Sequence, residues 1–64
     1  MTVYVVVKYG YEGGYVQAVA ATKEKAFDAV PKSVRKLAEP VWDGCAWCWG
    51  DGTGWFVRPW KVRQ

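Results

Sequence analysis

Sixty-four residues with nine Lys/Arg, six Asp/Glu and no histidine carry a net charge of +3 and a pI near 9.0. A chain this short buries only about 60% of the surface its unfolded form exposes, so it makes one domain, residues 1–64, with little room for an enclosed active site. The missing histidine removes the side chain most used for proton transfer near neutral pH, and the six carboxylates are scattered, so an enzyme is not expected.

Apolar residues make up 52% of the chain and aromatics 17%, which excludes disorder. No apolar run approaches the roughly 18 residues of a membrane span, and the opening "MTVYVVVKYG" lacks the basic start and small-residue cleavage site of a secretory leader. A cytoplasmic protein with no membrane partner is expected. The modest positive charge favours acidic partners weakly without forming a dense basic patch.

In chain order, "TVYVVVKY" (residues 2–9) is β-branched and aromatic, and predicts a first strand followed by the glycine turn "GYEGG". "YVQAVAAT" (residues 15–22) predicts an antiparallel return, with Tyr15, Gln17 and Val19 on one face and Val16, Ala18 and Ala20 on the other. The two small alanines allow a helix to approach closely. Thr22 is a helix cap before "KEKAFDAV", with Glu24 in the first turn and Ala26, Phe27 and Val30 as its apolar stripe.

Pro31 interrupts that helix, yet Val34, Leu37 and Ala38 prolong its spacing. One kinked helix is expected, or two short ones with Pro31 in the first turn of the second. Pro40 ends the region, and "CAWCW", a "GDGTG" turn and "WFVRPWKV" predict a second hairpin. The expected fold is α+β: a single antiparallel sheet of four strands, β-β-α-β-β, with the helix on one face. Val3, Val5, Val7 and Phe27 are expected in the core with two or three tryptophans. Pro59 has no ladder donor, which puts the last strand at an edge or gives it a bulge.

The stretch "DGCAWCWGDGTGW" (residues 43–55) holds both cysteines and three of the five tryptophans. Cys45 and Cys48 match Cys-X-X-Cys spacing, but a redox pair needs a helix after the first cysteine, and Trp49-Gly50-Asp51-Gly52 breaks one. On a strand their Cα atoms stand about 10 Å apart, beyond the roughly 7 Å limit of a disulfide. Structural zinc wants four ligands, and only Asp43, Asp51 or a second copy could complete the set, so no cofactor and no metal are expected. "GDGTG" lacks the Gly-Lys-Ser/Thr of a phosphate loop and predicts a turn, with Asp51 bonding its own backbone.

Five tryptophans are many for so small a domain to hide. Alternation places Trp47 and Trp49 on one face of the third strand, and Phe56, Arg58, Trp60 and Val62 on one face of the fourth. The surplus tryptophans point to a protein-binding surface, with Trp42, Trp49, Trp55 and Arg58 as candidate contacts and Tyr11 and Tyr15 as a second group at the first turn. The alternative is RNA or single-stranded nucleic acid on a basic aromatic sheet face through Arg58, Trp60, Lys61 and Arg63. Lys32, Arg35 and Lys36 add a basic helical strip to that alternative.

Two segments, "VYVVVKYGYEGGYVQAVAATKEKAFDAV" and "FVRPWKV", resemble small uncharacterised proteins common in bacteriophage genomes. The resemblance covers a little over half the chain and omits the tryptophan–cysteine stretch. It carries over no catalytic or binding residue. It implies a phage accessory protein in a bacterial cytoplasm, and so a partner that is a host protein. A monomer and a homodimer both fit the sequence.

Overall fold

A computed structural model describes residues 1–10, 13–50 and 52–62, and it is a small α+β domain with one antiparallel sheet. Its elements are β1 (Thr2–Gly10), β2 (Gly13–Ala20), α1 (Lys23–Asp28), α2 (Lys32–Leu37), β3 (Pro40–Trp42), β4 (Trp47–Trp49) and β5 (Trp55–Lys61). The strands lie in the order β2-β1-β5-β4-β3, so first and last long strands pair at the centre. The four strands and single kinked helix expected from sequence are thereby corrected to five strands and two short helices.

The extra strand arises because Val41 and Trp42 pair with Cys48 and Trp47 across a tight turn. Asp43 makes that turn: its Oδ1 accepts the N–H groups of Cys45 at 2.8 Å and Ala46 at 2.9 Å, while its own N–H bonds the Ala46 carbonyl at 3.1 Å. Gly44, at φ 105°, supplies the left-handed residue that the turn requires. Cys45 therefore belongs to a turn and only Cys48 to a strand, whereas sequence pattern had put both on one strand.

The helix breaks where Pro31 forbids continuation. Thr22 caps α1 by accepting the Lys25 N–H at 3.2 Å, as its sequence position predicts. Arg35 of α2 reaches back to donate from Nε to the Val30 carbonyl at 3.0 Å and from Nη1 to Asp28 at 3.5 Å, fastening the two helices together. Leu37, expected on the apolar stripe, is instead 78% exposed, because the break rotates the second helix and leaves Val34 as its inward residue.

Both helices cover one face of the sheet. Its core is Val6 of β1, Ala26, Val30, Trp49 and Val57, with Tyr4, Ala18, Ala20, Phe27, Val34, Trp47 and Trp55 packed around it. Phe27 sits edge-on to Trp47 at 5.6 Å and to Trp49 at 5.0 Å, so both tryptophans of β4 do point to one face. Val3, Val5 and Val7 do not join this core. They have the opposite parity from Val6 and face away from the helices, since the run "VYVVV" is apolar on both faces and its parity cannot be read from pattern.

A bulge changes the second strand. Val6 pairs with Ala18 but Val7 with Val16, which leaves Gln17 as the additional residue. Ala18 and Ala20 keep their places under α1, while Val16 joins Val19 on the uncovered face and Tyr15 crosses to the other, contrary to strict alternation. Pro59 is accommodated in a strand that is central at one end only. The Val62 N–H bonds the Met1 carbonyl and the Gly54 carbonyl accepts the Tyr9 N–H, so even-numbered residues of β5 direct their backbone toward the β1 side. Pro59 therefore turns its missing donor to the other side, past Val57, where β4 has ended.

Candidate functional site: an uncovered sheet face

Register places Val3, Val5, Val7 and Tyr9 of β1, Val16 and Val19 of β2, Phe56, Arg58 and Trp60 of β5, Cys48 of β4 and Val41 of β3 on the face that carries no helix. Arg58 is the one charged side chain that the strands contribute to it among the described residues. The other basic residues of the strands, Lys8 and Lys61, have the opposite parity. Lys8 instead lies over the Trp55 ring at 5.5 Å on the helical side.

Aromatic rings on this face are fixed by their neighbours. Tyr9 lies across Gly14, where an added Cβ would meet its ring, and stands edge-on to Phe56 at 5.0 Å. The Arg58 guanidinium covers Trp60 at 5.8 Å, and Trp60 is still 54% exposed. Beside them opens a shallow groove of about 1120 Å³, floored by Val7, Phe56 and Cys48 and rimmed by Tyr9, Val41, Asp43, Cys45 and Arg58. The N–H groups of Cys45 and Ala46 that point at Asp43 hold its carboxyl below the ordinary value of 3.8, so the rim carries an anion as well as the Arg58 cation.

The cysteines contribute surface to this groove. No disulfide joins them, no helix begins at Cys45, and Cys48 Sγ faces the Val41 carbonyl at 3.5 Å and Asp43 Oδ2 at 3.7 Å. Among the described residues no group of three His, Cys, Asp or Glu side chains is placed to hold a metal. Among the described residues no helix is long and apolar enough to cross a membrane.

The sequence-predicted contacts do not form one cluster. Trp49 is 1% exposed and is a core side chain, because it fills the space under Phe27. Trp55 is half-buried on the helical side, and Trp42, 47% exposed, packs tilted against Trp47 at 4.6 Å at the far edge of that same side. Tyr15 is exposed on β2 opposite Lys8. Arg58 and Trp60 share the uncovered face, Lys61 does not, and Tyr11 and Arg63 lie outside the described residues.

Sequence reasoning missed the valines. Five of them with Tyr9 and Phe56 line the uncovered face on β1, β2 and β5, and the available signal was supply. The first strand is apolar at both parities, yet two helices of six residues, each about 9 Å long, can cover only one sheet face. No protein-family model, curated protein or solved structure matches this chain.

Proposed function

We propose that this chain is a small non-catalytic binding module that works by seating a partner protein on its uncovered sheet face. The observation that carries the reading is the chemistry of that face, apolar and aromatic across five strands with one cation among the described residues, on a domain whose opposite face already holds its core. Exposed apolar side chains gathered on one face, here Tyr9, Val16, Val19, Val41 and Trp60, support an interaction site. The bacteriophage-type resemblance supplies the context of an accessory protein in a host cytoplasm. The partner is then a host protein, inhibited or redirected by having its surface occupied.

Relative to the contacts expected from sequence, the centre of the surface moves from Trp42, Trp49 and Trp55 to Trp60, Phe56, Tyr9 and Arg58. Replacing Trp60 with Ala weakens partner binding by about 2 kcal/mol or more, since Trp and Arg dominate such surfaces. The check is affinity capture from bacterial lysate followed by calorimetric titration of the captured protein. Binding that survives Trp60→Ala but fails on Lys32→Glu, a change on the helical side, refutes the reading.

Single-stranded nucleic acid is the second reading, favoured by Tyr9, Phe56 and Trp60 sharing a sheet face with Arg58. It ranks lower because, among the described residues, the parity of Lys8 and Lys61 leaves that face with one cation, too few for a backbone track. A mobility shift that weakens steeply with salt supports it, and no shift at low salt removes it.

A further inference from the structure

We infer that in the isolated protein the uncovered face is occupied by a second copy of this chain, packed face to face as a two-sheet sandwich about a two-fold axis. The inference rests on reading that face as a binding surface, and it adds both an occupant and a consequence: self-association and capture of another protein compete.

Area is the first argument. A globular chain of 7.2 kDa exposes about 4100 Å², and this one exposes 4810 Å², about 700 Å² more. The broad side of the molecule measures 36 × 25 Å, an outline of about 900 Å². Standard stable interfaces cover about 800 Å² on each partner, an area that fits within one broad side of this molecule.

Composition is the second argument. Permanent homodimer interfaces resemble a domain core cut in half, whereas transient ones are as polar as the remaining surface. Val5, Val7, Val16, Phe56 and Trp60 make this face of the first kind. Two antiparallel sheets bearing such residues pack about 10 Å apart, which is the interdigitation length of valine and aromatic side chains.

Charge is the third. A two-fold axis requires a self-complementary patch, and among the described residues the groove is lined by a cation, Arg58, and an anion, Asp43. Among the described residues Arg58 has no carboxylate partner within its own chain. Across the axis, the Arg58 of each copy meets the Asp43 rim of the other, so both charges are paired on closure.

Sedimentation and light scattering of the purified chain at about 100 μM test the idea together with isotope-filtered NMR on a mixture of labelled and unlabelled chains. Expected are a mass twice 7.2 kDa and intermolecular contacts between Val5, Val7, Val16 and Trp60 protons. The melting temperature should rise with protein concentration, and Trp60→Lys should raise the dimer dissociation constant by about 30-fold or more while circular dichroism is retained. A monomer throughout overturns the inference, as does a dimer whose intermolecular contacts lie on the β2 edge or the helices. A monomer that still captures a host protein through Trp60 leaves the binding-module reading standing. A dimer with no captured partner that Trp60 controls does the reverse.

Discussion

Trp49 is the residue at which reading the tryptophans as surface anchors and reading them as core diverge most, and replacing it by alanine separates the two. The side chain is 1% exposed beneath Phe27, so truncation removes roughly 200 Å² of buried apolar area, about 5 kcal/mol at 25 cal/mol per Å². Measured Trp→Ala losses in cores run at about 3–5 kcal/mol. A 64-residue domain has roughly 3–10 kcal/mol in total, so the variant loses between a third and all of its stability. At about 4–8 °C per kcal/mol for a domain of this size, the melting temperature falls by more than about 12 °C. Thermal melts and urea titrations at protein concentrations low enough for the chain to be monomeric measure this without confusing it with dissociation. Trp60→Ala, measured beside it, shifts the midpoint far less. A Trp49→Ala protein that stays folded within about 1 kcal/mol of the parent refutes the placement of this ring in the core.

Gly54→Ala should cost more than about 2 kcal/mol in urea, because φ there is +76° and an added Cβ collides with the Tyr9 carbonyl oxygen. An unchanged midpoint contradicts that close approach. Asp43 has a depressed carboxyl in the folded turn, so its stabilising contribution is present above its unfolded value and lost as pH falls through the folded one. The amide shifts of Cys45 and Ala46 should titrate with a midpoint below 3.8, and a midpoint at or above that value overturns the turn geometry.

Local chemistry in this chain was legible wherever one residue decides it. Thr22 caps α1 through a bond to its own third successor, Pro31 stops a helix by sterics, and Ala18 and Ala20 admit a helix by being small. What was not legible depended on long-range pairing. The bulge at Gln17 shows only in the pairing of β2 with β1, and it moves Val16 to a face that alternation denies it. Residues 45–49 read as one strand, but the bonds from Cys45 and Ala46 to Asp43 spend those backbone donors on a turn and leave only Trp47–Trp49 for the sheet. The candidate site suffered most, since "which tryptophans are surplus" is a question about total coverage. Trp49 looks like any other tryptophan until Phe27 is known to lie on it.

That same coverage argument explains why an apolar strand can be functional. With apolar residues at both parities, β1 must bury two faces, and the chain supplies two short helices, each under two turns, as cover for one. A domain that needed only to fold would place polar side chains at positions 3, 5, 7, 16 and 19, each exposed or half-exposed here, as antiparallel sheets with one wet face ordinarily do. Valine at all five costs solubility and contributes little to the monomer's own core. Covering that face is therefore favourable beyond the fold itself: substitution of these valines by Thr or Lys should improve solubility while abolishing the complex and leaving the core of Val6, Val30, Trp49 and Val57 in place. A valine-to-lysine change at position 5 that leaves both oligomeric state and partner capture intact would show the face to be idle.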